Sequence, residues 1–169
     1  MSDEGVKIID HNYLRYRKAL KALNGSYIRF GFFAGSNVGF AKIMHSNEFG
    51  DVRKMSRKQR GYLKRIGVVS GDSIIIPERS FVRSTFDEGI DRIQKLCIKT
   101  FQGIEEGREK TAALKELGKS CADMVRKKLD SGDFLPNDPF TREQKGMNKK
   151  PLEDRGALMD GIDHVVVTN

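Results

Sequence analysis

Four carboxylates near predicted helix ends are the residues of this sequence with the best placement for acid–base chemistry: Glu48, Glu78, Asp87 and Glu88. Paired carboxylates can serve as general acid and general base when their surroundings separate their pKa values. Acidic residues at helix starts more often stabilise the helix dipole or face solvent, and we prefer that interpretation. The sequence contains no P-loop, dinucleotide-binding glycine turn or nucleophile elbow. We therefore expect a protein that is not an enzyme.

Cysteine and histidine are too sparse and too widely spaced to predict a metal centre. The two cysteines, Cys97 and Cys121, fall on the apolar stripes of predicted helices, where a free thiol behaves as a small hydrophobic group. Neither has the ligand spacing with His11, His45 or His164 that a zinc site requires. We expect no metal, no cofactor and no disulfide framework.

Positive charge is the remaining chemical signal. The 169 residues carry a formal charge of +8, and a surplus of cations lies between residues 51 and 72. These cations could follow a phosphate backbone, dock on an acidic protein, or simply be solvated. The candidate docking residues are those of this segment and three outside it: Arg53, Lys54, Arg57, Lys58, Arg60, Lys64, Arg65, Arg79, Lys145 and Lys150.

The elements that must position these side chains are predicted from apolar spacing. Helical spacing covers residues 8–23, a shorter stretch ending near residue 49, and two long stretches at about 79–105 and 110–130. Strands are predicted near residues 26–35, at Ile74–Ile76 and at the end of the chain. Pro77 must end the Ile strand at a rigid corner before the first long helix. The predicted core between the long helices and the sheet comprises Phe86, Ile90, Ile93, Leu114, Leu117 and Cys121.

Together these elements predict a single α+β domain over residues 1–169. We expect a small antiparallel sheet, including the last strand paired with an interior one, packed against two long antiparallel helices. Residues 51–72 are predicted to be a long, mobile basic loop inserted between elements, and residues 132–151, with three of the four prolines, an extended arm. No apolar run approaches a membrane span and no signal-peptide core is evident. We therefore expect synthesis in a cytosol and no membrane contact.

Four segments, in this order, resemble the tail-completion and neck proteins of tailed bacteriophages, the family around the Mu virion-morphogenesis G protein. They read FAKIMHSNEFG, IPERSFVRSTFDE, LGKSCADMVRKKLDSGDFLP and TREQKGMNKKPLEDRGALMDGIDHVVV. The residues that match the family pattern are Glu48, Phe49 and Gly50; Ile76, Pro77, Arg79 and Phe81; Thr141, Lys145 and Gly146; and Lys150, Pro151, Leu152, Gly156 and Leu158. The chain departs from the pattern at Glu78 and Ser80, and at Asp154-Arg155.

This resemblance implies a non-enzymatic structural protein of the virion, at the head–tail junction or the upper tail. Its partners would be copies of itself in a homo-oligomeric ring, portal or adaptor proteins, and tail-tube or terminator proteins, with transient DNA contact also open. From the residues alone, the alternative is a small basic protein that binds DNA or RNA. The resemblance favours docking on protein neighbours.

Overall fold

The computed structural model describes residues 12–33, 38–67, 71–131, 133–137, 152 and 157–169. In chain order its elements are α1 (Tyr13–Leu23), β1 (Tyr27–Phe32), α2 (Val38–Phe49), β2 (Asp51–Lys54), α3 (Arg57–Arg65), β3 (Ser73–Ile76), α4 (Val82–Glu105), α5 (Lys110–Ser131), α6 (Ala157–Asp160) and β4 (Ile162–Val167). Helices dominate, and the strands form antiparallel pairs. The predicted α+β class is confirmed.

The body of the molecule is built from α4, α5 and the strand pair β1–β4. β4 runs antiparallel to β1, from Tyr27 opposite Val167 to Phe32 opposite Ile162, so the last strand does pair with an interior one. The long helices lie antiparallel, since Lys128 near the end of α5 pairs with Glu88 near the start of α4. Both β1 and β4 pack on α5.

The main core cluster lies where α2, the start of α4, α5 and the last strand converge. Its buried members are Met44, Phe81, Ala122, Val125, Leu129, Leu152, Leu158 and Ile162. A neighbouring cluster between the long helices holds Ile93, Leu117 and Cys121. Leu114 is also buried, so the predicted core is correct for four of these helix positions.

The prediction that Phe86 is buried is wrong, because 47% of this residue is exposed. Ile90 is only half-buried, and Cys97, predicted on the apolar stripe, is exposed. Phe86 lies with Ile28 and Phe30 along an open groove between β1 and α4. The β1–β4 sheet has two strands and packs on α5, so within the described residues it leaves the outer part of the α4 apolar face uncovered.

The segment 51–72 was predicted to be a long basic loop, but most of its described residues belong to a strand and a helix. β2 pairs antiparallel with β3, and α3 lies between them as the connection. A capping box starts α3: the Ser56 side chain accepts from the Gln59 backbone, and the Gln59 side chain accepts from the Ser56 backbone. The sequence did not reveal α3 by its spacing, because this cation-rich helix has no buried residue and therefore no apolar stripe.

Of the predicted arm, residues 133–137 are described, and they contain neither helix nor strand. Lys145 and Lys150 lie outside the described residues, as do Thr141, Gly146, Pro151 and Gly156.

Candidate functional site

The corner between β3 and α4, residues 77–81, is held by a carboxylate from a different helix. Glu48, at the end of α2, is 7% exposed and turns its side chain onto the start of α4. It accepts hydrogen bonds from the backbone N–H groups of Phe81 at 2.9 Å, Val82 at 3.1 Å and Arg83 at 2.8 Å. The Ser80 hydroxyl donates to it at 2.9 Å. One carboxylate therefore satisfies three of the backbone donors that a helix start leaves open, and its charge complements the helix dipole.

Arg83 closes the outer side of this contact. Its guanidinium donates to the Glu48 backbone carbonyl at 2.7 Å and to the Glu78 carboxylate at 2.6 Å. The same group lies 4.4 Å above the centre of the Phe49 ring, a distance at which a cation is attracted to the ring face. Arg83 thus joins the end of α2, the corner and the first turn of α4.

Arg79 is buried at the inner side of the corner, with 7% of its surface exposed. Its backbone N–H donates to the Asn47 carbonyl at 2.6 Å. Its guanidinium donates to the carbonyls of Leu135 at 2.9 Å and Pro136 at 3.2 Å. Burial lowers the pKa of Arg79. The side chain predicted to dock on a partner is instead engaged within the chain, where it fixes the root of the arm to the corner.

The four candidate carboxylates do not converge on one catalytic site. Glu48 caps α4, Glu78 pairs with Arg83, and Glu88 lies 2.9 Å from the ammonium of Lys128. Asp87 lines the open groove beside Phe86. The interpretation that these carboxylates stabilise helix dipoles is therefore correct for Glu48, although the helix that Glu48 stabilises is α4 and not its own helix, α2. Its own position at the end of α2 gave no sign of that partner.

Within the described ranges, no group of three or more His, Cys, Asp or Glu residues could hold a metal ion. No helix in this part of the chain is long and apolar enough to cross a membrane.

The second feature of interest is the projection, defined as β2, α3, β3 and the described turns between them. The β2–β3 strand pair forms a ribbon that begins directly after Gly50, whose φ of +71° makes the sharp turn out of α2. Val52 and Ile75 lie opposite each other in the register and are 66% and 74% exposed. Tyr62 and Ile66 are further exposed apolar residues at the tip. The projection therefore presents apolar surface that the described body does not cover.

Two of the predicted docking cations are held within the projection. Arg53 pairs with Asp51 at 2.6 Å and also contacts the Ser46 hydroxyl. Arg60 pairs with Asp72 at 2.6 Å. These arginines are the leading cause of the lowered pKa of each aspartate. Arg53 and Arg60 thus help to join the parts of the projection to each other and to α2.

The remaining cations of the segment have no carboxylate within ion-pairing distance in the described part of the chain. They are all exposed: Lys54, Arg57, Lys58, Lys64 and Arg65. Since Lys54 belongs to β2 and the others to α3, the positive charge without an ion pair is concentrated on one short helix, where Lys64 also helps to lower the pKa of Asp72.

The segments that carry the phage resemblance are brought together in space. The main core cluster takes Met44 from the first segment, Phe81 from the second, Val125 from the third and Leu158 from the fourth. Glu48 and Arg79 supply the hydrogen bonds that link the first three. Comparisons of the sequence with models of protein families, with curated proteins and with solved structures found no match.

Proposed function

We propose that this chain is a structural subunit of a tailed-phage virion, located at the head–tail junction or the upper tail, and not an enzyme. It acts by assembling with copies of itself into a ring and by docking on portal, adaptor, tail-tube or terminator proteins. The proposal rests on the sequence resemblance, and two features of the structure support it.

The first supporting feature is the cross-linked corner. The charged groups of Glu48, Arg79 and Arg83 all make contacts within the chain. Glu48 caps α4, Arg79 donates to two carbonyls of the arm, and Arg83 pairs with an exposed carboxylate. Such an arrangement fixes the angles at which α4, the projection and the arm leave one point. Fixed angles are what a subunit needs if heterologous contacts are to close into a ring.

The second feature, which carries the docking proposal, is the exposed Val52–Ile75 pair on a ribbon that has a fixed base. Two β-branched residues facing each other on one side of a ribbon form a small apolar surface that burial would stabilise.

The double variant Val52→Thr, Ile75→Thr tests this proposal, because threonine keeps the β-branched shape but replaces one alkyl branch with a hydroxyl at each site. In a phage that encodes the chain, we expect the variant protein to fold normally but to enter particles poorly. The measurement is the fraction of joined particles by electron microscopy, with the variant supplied in place of the wild-type chain. Val165→Thr, at an exposed position in β4, is the matched control.

Normal particle joining with the double variant would reject the Val52–Ile75 docking surface. Absence of the chain from purified particles, by mass spectrometry, would reject the virion assignment itself.

A nucleic-acid-binding protein is the second candidate function, and the structure strengthens it. A mobile loop would offer no preformed element to a groove or phosphate backbone, whereas α3 is a capped helix that presents its cations in fixed order. A dedicated binder should keep sub-micromolar affinity at physiological salt or discriminate between sequences. Weak binding that disappears as salt rises would leave the structural role as the preferred function.

A further inference from the structure

The cationic residues of α3 surround its glycine. Positions three and four residues away are the nearest neighbours on a helix surface. For Gly61 these positions are Arg57 and Lys58 on one side and Lys64 and Arg65 on the other. All four are exposed, and a Cβ placed on Gly61 would have nothing within 4 Å. The helix backbone is therefore uncovered at the centre of this charged face. We call the five residues, Gly61 and the four cations around it, the cationic saddle.

Two features of the cationic saddle are unfavourable for the helix itself, although Lys64 and Arg65, in the last turn, suit the helix dipole. An exposed glycine in a helix interior costs about 1 kcal/mol relative to alanine. Arg57 and Lys58 lie in the first turn, where the dipole favours acidic residues and α3 has none. No packing within the described residues explains the glycine, because no side chain approaches it. A local cost of this kind is expected where a surface meets a ligand.

We propose that the cationic saddle binds the phosphate backbone of double-stranded nucleic acid, with Gly61 allowing a phosphate to approach the helix surface. Duplex DNA offers one negative charge per about 1.7 Å of its axis, and a nine-residue helix is about 13 Å long. Protein interfaces, in contrast, have apolar centres with few charged residues. The saddle has no apolar side chain among its five members, so its composition suits a phosphate surface better.

The contact is with the backbone and not with base sequence. None of the five members is an aromatic residue on which an unpaired base could stack. Tyr62 is the single aromatic residue of α3, whereas single-strand binders stack successive bases on several aromatic side chains. The saddle carries no Asn or Gln to read adenine, and its Arg and Lys side chains, which could also pair with guanine, are assigned here to phosphates. Phosphate contacts position a protein on a duplex without selecting its sequence.

The test measures binding of a fluorescent 20-base-pair duplex to the full chain between 50 and 200 mM salt. Four phosphate contacts predict a slope of log affinity against log salt of about −3.6, a loss of about 150-fold over this range. The variant Arg57→Gln, Lys58→Gln, Lys64→Gln, Arg65→Gln removes the saddle's charge while keeping good helix formers. We expect its slope to fall to near zero.

The matched control removes four exposed lysines of the other helices by Lys18→Gln, Lys95→Gln, Lys99→Gln and Lys119→Gln. This variant has the same net charge as the saddle variant, so it should keep most of the wild-type slope. Equal losses in the two variants would reject a localised site in favour of a general charge effect.

Gly61→Ala separates the saddle from helix stability. Alanine should stabilise α3 but hold a phosphate away from the backbone, so we expect a thermal midpoint unchanged or higher and duplex binding weaker by several-fold. Gly103→Ala on α4, where a Cβ would make only an ordinary contact with Arg108, should leave binding unchanged. Unaltered duplex affinity of Gly61→Ala would reject the role assigned to the glycine.

Polyglutamate of matched charge is the probe for an acidic protein partner. Binding to polyglutamate as tight as binding to the duplex would overturn the nucleic-acid assignment and favour an acidic protein surface. The inference is independent of the docking proposal, since the saddle variants leave Val52 and Ile75 in place.

Discussion

Replacing Glu48 by alanine should be the most destabilising single change of a charged residue at the corner. The substitution removes the acceptor for three backbone N–H groups and the Ser80 hydroxyl, all at 2.8–3.1 Å. Each lost hydrogen bond contributes about 1 kcal/mol, and water can reach some of the freed donors, so we expect a loss of about 3–4 kcal/mol. For a chain of this size that corresponds to a fall in thermal midpoint of about 6–16 °C.

The assay is urea unfolding followed by circular dichroism, with Glu78→Ala as the matched control. Glu78 also pairs with Arg83, but its side chain is 55% exposed and it caps no helix. Removal of such a surface partner should change the free energy of unfolding by no more than about 0.5 kcal/mol. Glu48→Gln keeps the size and one acceptor oxygen, so it should cost about 1–2 kcal/mol. Equal effects of Glu48→Ala and Glu78→Ala would refute the assignment of Glu48 as the cap of α4.

Three further outcomes are expected. Phe81→Ala, at a residue 1% exposed, should cost about 3–5 kcal/mol in denaturant unfolding, whereas Phe86→Ala should cost well under half as much. Arg60→Gln should raise the pKa of Asp72 toward its ordinary value by NMR titration; the wild-type advantage should be present at neutral pH and disappear as pH falls through the lowered folded-state pKa. Gly50→Ala should lose about 1–3 kcal/mol on thermal unfolding, because φ is +71° and a Cβ would lie 3.3 Å from a backbone nitrogen of the corner.

The sequence predicted well those features that depend on local spacing. The long helices, the strand that Pro77 ends and the final strand were each visible as apolar periodicity or a turn signal. It failed where side chains act over long distances. Glu48 and the helix that it caps are more than thirty positions apart, and no local pattern connects a carboxylate at one helix end to another helix's first turn.

The projection differs from its sequence-based prediction for another reason. α3 has no buried residue. The contacts that support it are the Ser56 capping box, the β2–β3 strand pair that it connects and the ion pair between Arg60 and Asp72. A periodicity search detects burial and not capping, so the spacing of this segment predicts a loop and not a helix. For Phe86 the spacing predicted more burial than the structure has. Its position fits the apolar stripe of α4, but the β1–β4 sheet leaves it uncovered.

The pairing of Asp51 with Ile76 has a consequence for how this chain can change. The projection enters and leaves the body at neighbouring positions, about 5 Å apart as in any antiparallel pair. Apart from the contact of Arg53 with Ser46 of α2, the geometry of the body depends on that short distance and not on the length of the segment beyond it. Because the entropy of closing a loop grows slowly with its length, insertions at the tip should be inexpensive. Related chains could therefore keep one body while carrying projections of different size and charge.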